Sequence, residues 1–109
     1  GITLRFTDLK SIEAVENKIK QQEGGTHADE IETSMILYMQ PNAVNMKKAV
    51  KDYSPTGRGL TRDPNNKTGT YSPSGVWGDA TLATVEKGKI VTEALVVEIL
   101  KDLEKLKKE

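Results

Sequence analysis

Apolar positions along the chain change period several times, and each change marks an element. Ile2, Leu4 and Phe6 alternate with polar residues, the two-residue period of a half-buried strand, so the spacing predicts a short strand over 2–6. Leu9, Ile12, Val15 and Ile19 then recur at helical spacing, with Glu13, Glu16, Lys18 and Lys20 between them. This predicts a helix over 8–22 capped by Thr7 or Asp8. Gly24-Gly25 ends it, because glycine takes positive φ readily and costs a helix interior about 1 kcal/mol relative to alanine. A second helix is expected to start near Thr26 or Ala28, to carry Ile31, Met35, Tyr38 and Met39, and to close at Pro41. A shorter helical piece is expected over 43–50.

Periodicity then disappears from Asp52 to Ala80, where glycine, proline, asparagine and serine recur, so a long loop is expected there. Such loops in compact domains are functional or disordered, and residues 52–75 are expected to be the most mobile interior segment. From Leu82 to Leu106 the helical signal is the strongest in the chain. Leu82, Val85, Val96, Ile99, Leu100, Leu103 and Leu106 share one face, and Ile90 to Val97, apolar nearly all round, is predicted to be buried.

Composition narrows the function classes. The sixteen basic residues balance the sixteen acidic ones without a basic cluster before the last turn, so the electrostatic footprint of a nucleic-acid binder is missing. With no Cys, disulfides, thiolate metal sites and cysteine nucleophiles are all excluded, which fits a cytoplasmic protein. No run approaches the roughly 20 apolar residues of a membrane span, so a soluble protein is expected. With 109 residues and 5% aromatic side chains, the core must be small and the helices must pack on one another or on a partner.

Candidate chemistry concentrates in Glu23–Ser34, which contains the only His and four carboxylates. Thr26 with Asp29 three residues on approximates a capping box, which would explain both without any catalysis. His27 and Glu32 are five apart and would diverge by about 140° on one helix, so they cannot form an i, i+4 metal pair. They converge only if His27 precedes the helix and Glu32 points back from it. A lone His is more often structural than catalytic, and chemistry alone leaves its role open. Thr33 and Ser34 read as local helix hydrogen-bonders, and Glu30 as solvated. Glu86 and Lys87 read as a local pair. Trp77, in a glycine-rich stretch, either covers a pocket or packs its loop down.

Residues 24–35, Gly-Gly-Thr-His-Ala-Asp-Glu-Ile-Glu-Thr-Ser-Met, resemble the His-Ala-Gly-Glu-x-Glu-Thr-Ser-Met signature of the creatininase family. Residues 75–88, Gly-Val-Trp-Gly-Asp-Ala-Thr-Leu-Ala-Thr-Val-Glu-Lys-Gly, resemble its later Gly-Val-x-Gly-Asp-Pro and Ala-Thr-x-Glu-Lys-Gly stretch, in matching order and separation. Asp29 stands where the family usually has a small residue and Ala80 where it has Pro, so an approach to the pocket unlike that of other members is expected at both places.

The resemblance implies an α/β fold, with this chain as the mostly helical part, bearing one or two strands, of a three-layer α/β/α sandwich that is often hexameric. It also implies a metal-dependent amidohydrolase acting on amide or cyclic-amide C–N bonds of a small molecule, with a divalent metal (zinc, manganese or iron) in the complete enzyme. On that basis His27 is the catalytic candidate, as an acid toward the leaving nitrogen or a holder of the substrate oxyanion. Glu32 is the candidate metal ligand, or else orients His27, and Trp77 is the candidate substrate contact.

The family's Glu-x-His motif and its glycine-rich second motif do not appear in residues 1–109. The chain therefore reads as the C-terminal half, needing an N-terminal half or companion chain and binding little metal by itself. Creatinine itself is a less fitting substrate, because Gly24-Gly25-Thr26 stand where that branch carries aromatic and acidic residues. The competing readings are a non-catalytic remnant and a helical interaction module that docks through residues 81–109.

Overall fold

The computed structural model describes residues 1–53 and 59–108. Three helices form: α1 (Lys10–Ile19), α2 (Glu30–Met39) and α3 (Val85–Lys107). Four two-residue strands complete it: β1 (Lys51–Asp52), β2 (Leu60–Thr61), β3 (Thr70–Tyr71) and β4 (Gly78–Asp79). β1 and β4 pair antiparallel, Lys51 opposite Asp79, while β2 and β3 pair in parallel, Leu60 opposite Thr70. The described residues are thus about half helical with a few short strands, consistent with the expected mostly helical α/β character.

α3 packs along α2 and, to a lesser extent, on α1. Ile12, Ile31 and Val91 from the three helices form the buried centre, with Val15, Ile19, Met35, Ala94 and Leu95 packed around it. Ile12 and Ile31 lie on the apolar stripes expected for α1 and α2, whereas Val91 lies off the stripe expected for α3, whose residues Val85, Val96, Ile99, Leu100 and Leu103 are exposed.

Several expectations are corrected. Residues 2–6 form no strand, and Ile2 (91%) and Phe6 (89%) are exposed, because no strand among the described residues lies alongside to pair with their backbone groups. α1 is shorter than 8–22 and lacks a side-chain cap bond at its N-cap Leu9, although Asp8 Oδ1 accepts from Lys10 N nearby. The 43–50 piece resolves into two 3₁₀ turns, Pro41–Ala43 and Met46–Lys48. Within 90–97 only Val91 is buried, while Ile90, Val96 and Val97 are exposed, because α2 and α1 cover a single face of α3. Of the long loop expected from Asp52 to Ala80, residues 54–58 lie outside the described residues, and the remainder is not structureless: it carries β2, β3 and side-chain-capped turns such as Asp63 Oδ1 accepting from Asn65 N.

Candidate functional site

The N-terminus of α2 organises the site. Asp29, not Thr26, is its cap: Asp29 Oδ1 accepts from Ile31 N at 3.0 Å and Glu32 N at 2.9 Å, satisfying two of the helix's orphan donors. Glu32 reaches back to accept Ala28 N–H at 2.6 Å, so a capping-box-like arrangement forms three residues later than expected. Ala28 takes φ 45°, a left-handed conformation that turns the chain into the helix and leaves His27 in the preceding loop. Thr26, freed from capping, donates its N–H to Trp77 O at 2.8 Å.

His27 and Trp77 exchange backbone hydrogen bonds, Trp77 N to His27 O at 2.8 Å and His27 N to Trp77 O at 3.2 Å. Their rings lie 6.4 Å apart with a 36° tilt. The two sequence blocks singled out above are therefore adjacent in space. No hydrogen bond joins His27 to Glu32 among the described residues; Glu32 Oε2 accepts from Ala28 N instead. Ser34 behaves as a helix hydrogen-bonder, donating to Glu30 O at 2.5 Å, and also accepts Thr84 N–H at 3.0 Å, which ties α2 to the start of α3. Thr33 Oγ1 likewise donates to Ala28 O at 3.2 Å.

A buried polar network underlies this junction, and the sequence reading missed it. Glu30, expected to be solvated, is fully buried at 0% exposure. Its carboxylate accepts from Gln21 N and Gln22 N and pairs with Lys87 Nζ at 2.6 Å. Lys87 does not pair with Glu86; its ammonium also reaches Gln21 Oε1 at 2.7 Å and Leu82 O at 2.8 Å, an acceptor for each of its three protons. Gln22 completes the set: Oε1 accepts from Glu30 N and Asp79 N, and Nε2 donates to Asp29 Oδ2 at 2.7 Å. Asp79 in turn accepts from Thr81 N and the Thr81 hydroxyl. The fit is close enough that a Cβ on Gly78, which holds φ +149°, would press on Asp29 and Gln22. The available signal was a carboxylate one residue past a helix cap and a lysine far along the chain, which local reasoning treats as solvated.

His27 and Glu32 line a cleft of about 590 Å³ together with Arg62, Tyr71, Ser72 and Ser74. Trp77 stands half-buried behind His27 and is not among the cleft's lining residues. Ser72 and Ser74 of the cleft lining are held by a residue outside it: Asp52 Oδ2 accepts from Ser72 Oγ at 3.0 Å and Ser74 Oγ at 2.5 Å. The Ser74 and Ser72 hydroxyls hold the Asp52 carboxyl below its ordinary range. Burial, followed by the charge of Asp29, pushes Glu16 up.

The donors present do not fit a metal centre. Among the described residues no group of three or more His, Cys, Asp or Glu side chains converges. Glu32 is engaged by a backbone N–H, and buried Asp29, Glu30 and Asp79 are each held by protein donors. Among the described residues no helix is long and apolar enough to cross a membrane.

Compared with known proteins, residues 3–103 match the family described as Creatininase, creatinine amidohydrolase. No curated protein and no solved structure matches the chain. The family match covers both blocks that meet at the His27–Trp77 bridge, and the chain belongs to the creatininase family.

Proposed function

We propose that this chain is the C-terminal portion of a creatininase-like amidohydrolase domain, hydrolysing amide or cyclic-amide C–N bonds of a small molecule when the rest of the domain is supplied in the same or a companion chain. The observation that supports this most is the His27–Trp77 bridge, which sets both signature blocks against one cleft. In this reading His27, exposed at the cleft, gives a proton to the leaving nitrogen as the C–N bond breaks and recovers one from the attacking water. Trp77 holds His27 in place from behind and screens that side from solvent. The remainder of an α/β/α sandwich would supply the donors that a divalent metal requires beyond Glu32, and an oligomer would cover the exposed face of α3.

The test is kinetic. In the complete domain, His27→Ala should lower kcat by about 10²–10⁴ and leave bound metal unchanged. Near-normal turnover would assign the chemistry elsewhere. Glu32→Gln should reduce metal content if Glu32 is a ligand, and leave it intact if Glu32 only caps α2.

A second reading, a non-catalytic module for oligomerisation, is favoured by one observation. Val97 (50%), Leu100 (54%) and Leu103 (46%) on α3 are exposed. A complete domain that binds no metal and turns over no amide would select it.

A further inference from the structure

Glu30 is a fully buried carboxylate that the reaction does not use, and among the described residues Lys87 is its charged partner. A buried pair of this kind is weak evidence for net stability, because desolvating two charges offsets much of their attraction. Its geometry says more about what it holds. Glu30 accepts the consecutive N–H groups of Gln21 and Gln22, which fixes the backbone where the loop leaves α1. Gln22, so fixed, receives Asp79 N–H and thereby sets β4 beside the loop. Two residues before Asp79, Trp77 exchanges backbone hydrogen bonds with His27. Lys87 closes the circuit by spanning Glu30, Gln21 and the Leu82 carbonyl ahead of α3. The links of Glu30 to Gln21 N, Gln22 N and Lys87, and of Gln22 to Asp79, are buried or half-buried, where hydrogen bonds are strong and geometry is least free to vary.

We propose that Lys87 and Glu30 are positioning residues: their ion pair fixes the 21–29 loop so that His27 keeps its register with Trp77 at the cleft. The proposal rests on the amidohydrolase reading for its significance, but its test reads geometry and not turnover, so the two fail separately.

The test is amide hydrogen exchange by NMR on the chain itself, comparing wild type, Lys87→Met and Lys87→Arg. The Thr26, His27 and Trp77 amides report the bridge, and the Tyr38 and Leu95 amides, inside α2 and α3, report global opening. Lys87→Met is expected to raise exchange at the bridge about ten-fold or more while Tyr38 and Leu95 change far less, and Lys87→Arg to stay near wild type. A uniform rise at all five amides, or none at the bridge, overturns the proposal and leaves the pair a simple core staple.

Because Lys87→Met strands a buried charge, the double variant Glu30→Gln/Lys87→Gln is measured in parallel; it leaves no unpaired charge, and the same selective rise is expected. If neither variant shows wild-type helical circular dichroism, the proposal is also overturned, since the pair is then a condition of folding and not a positioning device.

Discussion

Ala28 sits between His27 and the cap Asp29 with φ 45°, a conformation costing a non-glycine residue about 1 kcal/mol. The Ala28 N–H bond to Glu32 and the Asp29 cap hold it there. Ala28→Gly should therefore be neutral or raise the melting temperature, because relief of strain offsets the added freedom of the unfolded chain. A clear drop would mean that the Ala28 methyl is itself required. Asp52 makes a second prediction at this scale. Its folded pKa lies below the ordinary value of 3.8, so its contribution to stability is present above the unfolded value and is lost as pH falls through the folded one. Glu16, raised by burial, has the opposite sign: its contribution is full below its unfolded value and is lost as pH rises through the folded value. In melts from about pH 5 to about pH 2, Asp52→Asn should flatten the acid-side loss of stability. An unchanged slope would remove Asp52 from the account. The Asp52 shift was invisible in the sequence, since Ser72 and Ser74 lie 20 and 22 residues away.

Among the elements, α3 was legible as a helix but not in its buried face: Val85, Val96, Ile99, Leu100 and Leu103 of the expected stripe are exposed, and Val91, Ala94 and Leu95 turn to the core instead. The start of α2 was legible only as a region. Thr26 and Asp29 are both good caps, and the choice fell to Asp29 because Trp77, 51 positions beyond Thr26, claims the Thr26 N–H. Strand 2–6 failed for a related reason: alternation shows that a strand could form, and pairing decides whether it does. Glu30 was misjudged because its partner Lys87 is 57 residues away. The α2–α3 seam carries its own prediction at Gly88, where an added Cβ would overlap the Ser34 carbonyl. Alanine would improve helix propensity by about 1 kcal/mol. Forcing two helix backbones apart costs typically 1–3 kcal/mol, about that or more at so tight an approach, so packing wins. Gly88→Ala should lower the melting temperature, and a rise would show that the seam can yield.

As a whole, the molecule has more surface than its mass calls for. Its accessible area of 7889 Å² compares with about 6,000 Å² for a compact monomer of 12.0 kDa. Its radius of gyration, 16.2 Å, exceeds the roughly 13 Å of a compact chain of this length. The excess is apolar in two places, the segment of Ile2, Leu4 and Phe6 and the outer face of α3. We expect the chain alone to self-associate at micromolar concentration, and Leu100→Lys with Leu103→Lys to shift it toward monomer in sedimentation velocity. A wild-type chain that stays monomeric would mean that this face tolerates water. We also expect the chain alone to retain less than one divalent metal per molecule after dialysis, because among the described residues no three His, Cys, Asp or Glu side chains converge. Stoichiometric zinc or manganese would overturn that.

The distances along the sequence that the site spans carry a kinetic consequence. Gln22 meets Asp79, and Glu30 meets Lys87, across 57 residues each, whereas α1 and α2 form from neighbours. Closing a loop of that size must be paid in chain entropy before the contact returns anything, so such contacts form late in folding. The polar circuit behind His27 should accordingly be absent from the transition state. Substitutions in it should leave the refolding rate nearly unchanged and speed unfolding, so that the junction governs how long the folded chain lasts once formed.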